Sequence, residues 1–198
     1  INPQSISLAI SKPAAGITQS SYLVHDEQKV RLIREILKSK EKEKPLSHVL
    51  IFASSIKSVK EIKKTLNRSG FASSDMHSEL NQDQREETIR DFKNKKIKIL
   101  VATDILSRGI DIKGIELVIN YEVPHDAEDY VHRIGRTARA DNTGEAITFI
   151  NSKQVRNFMD IEKLIEKSIR KTPLPNNFDK GPKYEVFKKM KKKKWKKK

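Results

Sequence analysis

Apolar residues along the chain form short runs that alternate with stretches of helical periodicity. The short runs are rich in Val, Ile and Phe, and they predict β-strands at residues 17–24, 48–54, 71–77, 97–103, 116–121 and 145–151. The runs at 49–52 and 97–101 are almost continuously apolar. Such runs are typical of strands that are covered on both faces.

Amphipathic helices are predicted between these strands, because apolar residues three or four positions apart form stripes within 30–37, 59–66, 89–92 and 155–165. Helix starts are predicted at Asp26, at Ser58 with Glu61, at Asn81 with Gln84, and at Ser152. Gly70 is expected to end the second helix. The repeated strand–helix units favour an α/β fold in which a parallel sheet lies between helices.

The ends of the chain have a different composition from its middle. Residues 1–16 contain Pro3, Pro13 and Gly16 and are predicted to be a linker, and residues 17–170 are predicted to form one domain. Residues 171–198 contain helix-breaking Pro and Gly and end in a lysine-rich run, so they are predicted to be a disordered tail. The chain begins with Ile, and we expect it to be part of a longer protein.

The net charge of +15 is concentrated at the C-terminal end, where residues 171–198 hold twelve Lys and two carboxylates. A basic surface fits a polyanionic partner, most often nucleic acid. No apolar run is long enough to span a bilayer, so no membrane partner is expected. The chain has no Cys, which excludes disulfides and thiolate metal sites and fits a cytoplasmic location.

Two clusters of polar residues stand out after the predicted strands, where ligands bind in open parallel sheets. Residues 103–111 combine Thr103 with two carboxylates and the Arg108–Gly109 pair. Residues 132–139 hold one His and three Arg, and Arg136 and Arg139 are predicted to share a helical face. Two guanidinium groups on one face suit the oxygens of a triphosphate. An ordinary polar loop and a solvated basic helix face are the alternatives.

Two further segments, residues 77–85 and 52–55, are weak signals when each is taken alone, and Ser55 could simply cap a helix. Taken together and in order, the segments resemble the second-domain motifs of the DEAD-box RNA helicases of superfamily 2. Residues 52–55 resemble motif IV, 77–85 the His-Gly…Gln-x-x-Arg element, 103–111 motif V, 118–121 motif Va and 132–139 motif VI. The resemblance covers about residues 17–169.

The sequence departs from the family pattern at three positions. Ser78 replaces the usual Gly, whose backbone amide approaches an RNA phosphate, and a positive φ would cost Ser more than Gly. Ser55 replaces the usual Thr of motif IV, and Ala138 replaces the commoner Gly of motif VI.

The resemblance implies a RecA-like fold and the activity of an ATP-dependent RNA helicase that acts as a monomer. It implies that Arg136 and Arg139 are catalytic arginine fingers, and that both bind ATP together with Gly109 and Asp111. It implies RNA contacts from Ser54, Ser55, Ser78, Arg85 and Thr103. Arg108 and His132 are implied to couple two domains.

Two elements that ATP hydrolysis needs are absent from these 198 residues, namely a Gly-x-x-x-x-Gly-Lys-Ser/Thr loop and an Asp-Glu-Ala-Asp sequence. The resemblance therefore implies that the phosphate cradle and the Mg²⁺ ligands belong to an N-terminal RecA-like domain outside this sequence. No metal site is expected in this chain, and residues 1–198 alone are expected to be inactive.

Two other functions remain open from the sequence. The chain could be an RNA-binding or annealing module dominated by its tail, or a helicase-like scaffold without activity. DNA also remains an alternative to RNA, because phosphate contacts do not distinguish the two sugars.

Overall fold

A computed structural model describes residues 16–104, 114–137 and 144–185. The described strands are β1 (Ile17–Leu23), β2 (Val49–Phe52), β3 (Ser73–Met76), β4 (Ile99–Ala102), β5 (Leu117–Asn120), β6 (Gly144–Ile150) and β7 (Arg170–Thr172). They form one sheet in the order β3-β4-β2-β5-β6-β1-β7, and every pair of neighbours is parallel. The predicted α/β fold with a parallel sheet is confirmed.

The described helices follow β1, β2, β3, β5 and β6, and they cover both faces of the sheet. They are α1 (Lys29–Glu43), α2 (Ile56–Arg68), α3 (Gln82–Lys93), α4 (Ala127–Ile134) and α5 (Val155–Leu164), and a 3₁₀ turn at Asp26–Gln28 precedes α1. Within the part of the chain that the structure describes, no helix is long and apolar enough to cross a membrane.

The alternation of side chains along β2 shows how the two faces are filled. Val49 and Ile51 pack with the buried faces of α1 and α2, whereas Leu50 and Phe52 pack on the other face with Phe92 of α3. Helices α4 and α5 cover the rest of that second face, beside β6. Both faces of the central strands are therefore buried, which is why their sequences are almost continuously apolar.

One predicted helix start is confirmed and the other three are shifted. Asn81 caps α3 together with Gln84, as predicted. Helix α2 begins one turn before Ser58, because the Ser55 hydroxyl accepts the Ser58 N–H at 3.1 Å. Helix α5 begins at Val155 with Gln154 as its N-cap rather than at Ser152, and the Asn151 side-chain oxygen holds the preceding turn by accepting two backbone N–H groups.

The start predicted at Asp26 is wrong in a different way. Asp26 lies inside the 3₁₀ turn, and its carboxylate lies 2.7 Å from Lys29 Nζ instead of capping backbone amides. Several cap-forming side chains are close together at each of these starts.

The C-terminal segment 170–185 lies against the domain, so the domain extends beyond the predicted boundary at Lys171. Its first residues form β7, which pairs with the edge strand β1. Leu174 and Phe178 then pack on the cluster formed by α1, and Tyr184 packs on the cluster formed by α5. The lysine-rich residues 188–198 and the predicted linker residues 1–15 lie outside the described residues.

Glu162 on α5 anchors this segment. Its carboxylate accepts the Ile169 N–H at 2.6 Å and the Tyr184 hydroxyl at 2.5 Å, and it pairs with Lys171 Nζ at 2.5 Å. Burial alone would raise the pKa of Glu162, but the hydrogen bonds from Lys171, Tyr184 and the Ile169 N–H outweigh burial and lower the pKa. At neutral pH the anchor is therefore a carboxylate.

Candidate functional site

The carboxyl ends of the parallel strands meet at one edge of the sheet, which we call the carboxyl edge. The segments that follow β2, β3, β4 and β5 begin there with Ala53, His77, Thr103 and Tyr121. Because β3, β4, β2 and β5 are consecutive neighbours in the sheet, these four segments lie side by side. The topology therefore brings together polar residues that are up to about 70 positions apart in the sequence.

A charged pair holds one half of this edge. Arg133 lies at the end of α4, and its guanidinium binds the Asp104 carboxylate through two hydrogen bonds, of 2.6 and 2.5 Å. The Arg133 side chain is 3% exposed and the Asp104 side chain is 41% exposed. A two-pronged contact of this kind fixes the orientation of both groups as well as their distance.

The Arg133 guanidinium makes further contacts that tie α4 to the end of β5. It donates to Asn120 Oδ1 at 3.2 Å and to the backbone oxygen of Glu122 at 3.3 Å. It also lies over the Phe52 ring, 5.2 Å from the ring centroid. The end of α4 is therefore linked to the ends of β2, β4 and β5 by a single side chain.

The sequence alone predicts no role for Arg133 or Asp104. Both residues lay inside the singled-out clusters, but nothing in the sequence separated Arg133 from Arg136 and Arg139. One feature of the sequence could have predicted this pair. A carboxylate directly follows one predicted strand, and an Arg-rich segment follows another predicted strand.

Arg136 lies immediately beyond the clamped end of α4. The helix ends at Ile134 with Gly135 as its C-cap, and the Arg136 N–H donates to the Arg133 carbonyl in a turn. The prediction that Arg136 belongs to a helical face shared with Arg139 is therefore wrong for Arg136, because the helix has already ended. Arg139 lies outside the described residues.

Thr137 fixes the far side of the same turn. Its buried hydroxyl donates to the Ile115 carbonyl at 2.7 Å. A Cβ on the neighbouring Gly144 would lie 1.9 Å from the Thr137 hydroxyl oxygen, so only glycine fits there. Arg136, which is half-buried, is thus held between two anchored neighbours. We call the group of Asp104, Asn120, Glu122, Arg133 and Arg136 the arginine side of the edge.

The other half of the edge carries hydroxyl groups at the ends of β2, β3 and β4, and we call Ser54, Ser55, Ser78 and Thr103 the hydroxyl side. Ser54 and Ser55 are exposed. The Ser54 N–H donates to the Glu122 carboxylate at 3.0 Å, and Ser55 caps α2. Ser55 is therefore a helix cap whatever else it contacts.

Glu122 thus contacts both sides of the edge, through its side chain and through its backbone. Burial raises the pKa of the Glu122 carboxyl. The hydrogen bonds from Ser54 and the positive charges of Lys29 and Arg133 oppose that rise without cancelling it.

Ser78 and Arg85 lie next to each other at the end of β3. The Arg85 guanidinium donates to the Ser78 carbonyl at 3.0 Å, so Arg85 fixes the segment that carries Ser78. Among the described non-glycine residues only Lys95 and Glu166 have a positive φ. The backbone at Ser78 is therefore free of the strain considered for a serine in place of glycine.

Thr103 is 7% exposed, and its hydroxyl has no hydrogen-bond partner within the described part of the chain. His132, in contrast, is exposed on α4. Three more residues singled out from the sequence, Arg108, Gly109 and Asp111, lie outside the described residues. Where the structure describes the chain, it holds no group of three or more acidic or His side chains that could bind a metal ion.

The amino-acid sequence is similar to a known protein family and to several known proteins. The model of the helicase conserved C-terminal domain matches residues 28–141, which is more than half of the chain. A probable ATP-dependent RNA helicase of Methanocaldococcus jannaschii is 40% identical over 161 residues, which are 81% of this chain and 42% of that protein. The DEAD-box ATP-dependent RNA helicase 14 of Arabidopsis thaliana is 37% identical over 80% of this chain and 25% of that protein.

Solved structures show the same likeness. The crystal structure of a DEAD box protein from Methanococcus jannaschii aligns with a TM-score of 0.72 at 40% identity, over 80% of this chain and 42% of that chain. S. cerevisiae Dbp5 bound to RNA and ADP BeF3 aligns with a TM-score of 0.74 at 26% identity, over 81% of this chain and 42% of that chain. The chain therefore spans less than half the length of these relatives.

Proposed function

The chain belongs to the helicase C-terminal domains of the DEAD-box family, and from this premise we propose that it is the second half of an ATP-driven RNA-unwinding motor. In this proposal an N-terminal RecA-like domain of the same protein closes onto the carboxyl edge, with ATP and single-stranded RNA between the two domains. That domain would also hold the Mg²⁺ that accompanies ATP. The chain itself supplies positive charge to the nucleotide and contacts to the RNA backbone.

The observation that carries the proposal is the position of Arg136 directly after the clamped end of α4. Arg133 is locked by Asp104, Asn120 and Glu122, so the turn that follows it starts from a fixed point. A guanidinium that is oriented before the reaction stabilises the charge of a transferring phosphoryl group without reorganising. We propose that Arg136 and Arg139 have this role, and that Gly109 and Asp111 contact the nucleotide.

The hydroxyl side suits a different ligand. Ser54, Ser55, Ser78 and Thr103 sit at the ends of three neighbouring strands, which are about 5 Å apart. Hydroxyl and backbone N–H groups bind phosphate oxygens without reading sequence. We propose that they hold successive RNA phosphates together with Arg85, and that Arg108 and His132 couple the two domains.

Hydrolysis would then open the two domains and release the RNA, as in a lid that gates a reaction. We propose that the motor works as a monomer, without a membrane, in the cytoplasm. The absence of Cys fits a reducing compartment.

ATP turnover by the isolated chain is the direct test. Because half of the ATP site would lie on the other domain, residues 1–198 alone should release no measurable phosphate, with or without RNA. The longer protein that contains them should release phosphate in an RNA-dependent manner. Robust turnover by residues 1–198 would contradict the two-domain proposal.

A further inference from the structure

The outer face of α2 carries a ridge of positive charge that the proposed function does not use. Val59, Ile62 and Leu66 form the buried face of this helix. Lys57, Lys64 and Arg68 are exposed on the opposite face. Lys57 and Lys64 are seven positions apart, and Lys64 and Arg68 are four positions apart, so the three side chains lie along one line. With a rise of about 1.5 Å per residue, this line is about 16 Å long. We call these three residues the α2 ridge.

Several cations on the neighbouring helices have a carboxylate partner. On α1, Lys38 and Lys40 pair with Glu35 and Glu145, and on α3, Arg90 pairs with Glu87. No carboxylate among the described residues pairs with Lys57, Lys64 or Arg68.

The composition of α2 shows the same imbalance, because the helix contains five cationic residues and a single carboxylate, Glu61. Glu61 lies on the same face, four positions after Lys57 and three before Lys64, so this face carries three cations and one carboxylate. Among the described residues no ion pair joins Glu61 to Lys57, Lys64 or Arg68, so the cations outnumber the carboxylate and stay accessible to a polyanion.

The ridge begins at the carboxyl edge. Helix α2 starts directly after Ser54 and Ser55, and the positive end of its dipole lies there. Lys60, one turn into the helix, reaches across to Glu79 beside Ser78 at 2.5 Å. A polyanion lying across Ser55 and Ser78 would therefore pass over the first turn of α2 and meet Lys57, and beyond it Lys64 and Arg68.

We propose that the α2 ridge binds the phosphate backbone of RNA that flanks the strand held at the carboxyl edge. The inference rests on the proposed function and extends it, because it assigns a second, sequence-independent RNA surface outside the cleft. Three cations without an ion-pair partner among the described residues, along about 16 Å, can meet two or three phosphates of a backbone that follows the helix axis. Contact with the flanking RNA would keep the motor beside the segment that it opens.

The test compares two triple variants of the longer protein that contains this chain. Lys57→Gln, Lys64→Gln and Arg68→Gln together remove the ridge. Lys38→Gln, Lys42→Gln and Lys93→Gln together remove the same charge from exposed positions on α1 and α3. Gln has nearly the same helix propensity as Lys, so both variants should fold. The probes are a short single-stranded RNA that occupies only the edge, and the same RNA extended by a duplex.

Affinity is measured across a salt series with a non-hydrolysable ATP analogue present. On the extended RNA, the ridge variant should show a log–log salt slope that is about two to three units less steep than that of the control variant, because each lost phosphate contact removes about 0.9 units. On the short RNA, the two variants should bind equally.

Equal salt slopes for the two variants on the extended RNA would show that the α2 ridge does not bind RNA, and would leave the proposed function intact. A selective loss on the short RNA would also overturn it, because the ridge would then belong to the edge itself. Failure of the unmodified protein to bind the short RNA would contradict the proposed function, and it would also contradict RNA binding by the α2 ridge.

Discussion

The arginine side and the hydroxyl side of the carboxyl edge are built in different ways. On the arginine side, Arg133 is almost fully buried and makes hydrogen bonds to Asp104, Asn120 and Glu122. On the hydroxyl side, Ser54, Ser55 and Ser78 are exposed, and their segments are held by backbone contacts and a helix cap. Under the proposed function, the arginine side must place a charge at one moving phosphoryl group, which requires a fixed frame. Contacts that accept any RNA phosphate do not.

The sharpest test of this comparison is to substitute Arg136 in the longer protein that contains this chain. Arg136→Ala should lower ATP turnover by about 10³-fold or more, as the loss of an arginine finger does. Arg136→Lys should restore little, because an ammonium cannot replace the planar guanidinium fork. The measurement is steady-state phosphate release at saturating RNA.

Stability is the control for that experiment. Arg136 lies beyond the last residue of α4, so Arg136→Ala should keep the cooperative urea unfolding of the unmodified protein. Turnover by Arg136→Ala within a few-fold of the unmodified protein would mean that another residue meets the phosphoryl group.

Substitution of Arg133 tests the hydrogen bonds that hold the arginine side in place. Arg133→Ala removes the partner of Asp104 and leaves Asn120 with one hydrogen bond fewer, so the free energy of unfolding should fall by about 2–3 kcal/mol. This is below the usual loss for a fully buried pair, because the Asp104 side chain is 41% exposed. Urea unfolding of residues 16–185 measures it.

Arg133→Lys separates charge from geometry at the same position. Lys keeps the charge but cannot make the two-pronged contact, so it should recover less than half of the lost stability. Full recovery by Lys would show that the charge of Arg133 matters and its geometry does not.

The lysine-rich end tests whether RNA affinity depends on the hydroxyl side alone. Residues 188–198 hold nine Lys, and Trp195 lies among them. If half of these Lys pair with phosphates, deleting 186–198 should make the salt slope of single-stranded RNA binding about three units less steep, at about 0.7 units per contact. Turnover per bound complex should stay unchanged.

The position of this deletion follows from the structure. A cut after Glu185 keeps Tyr184 on Glu162, whereas a cut at 182 would remove that anchor and disturb the fold. Superimposable salt slopes for the intact and shortened proteins would show that the lysine-rich end does not bind RNA.

The smallest expected effect is at Glu122, which contacts both sides of the edge. Because burial raises its pKa in the folded state, Glu122 should make the protein less stable as the pH rises from the unfolded-state pKa, about 4.3, through the higher folded-state pKa. Glu122→Gln can still accept the Ser54 N–H but cannot ionise. The free energy of unfolding of Glu122→Gln, relative to the unmodified protein, should therefore increase with pH across this range.

Urea unfolding at a series of pH values from 4 upward measures this difference. Glu79 offers a comparison of opposite sign, because its exposed carboxylate accepts a hydrogen bond from Lys60, which lowers its pKa, so the stability of Glu79→Gln relative to the unmodified protein should decrease as the pH rises. A difference that stays constant with pH at position 122 would show that burial does not shift the Glu122 carboxyl.

Much of this architecture could be predicted from the sequence, because local patterns carry it. All six predicted strands are present, and their ends lie within two residues of the prediction. The strand β7 was missed, since Arg170, Lys171 and Thr172 are polar and form a strand only beside the open edge of β1. The packing of Tyr184 was missed for a similar reason, as its partner Glu162 lies 22 positions away.

The sequence by itself determined the alternation of strands and helices, the family, and the segments that meet at the carboxyl edge. It did so because periodicity and motif spacing are local properties of the chain. Only the tertiary structure decided which arginine anchors the site and which one follows the anchor. Arg133 and Asp104 are 29 positions apart, and their pairing depends on the ends of β4 and β5, which lie on either side of β2 in the sheet, and on the point at which Gly135 ends α4.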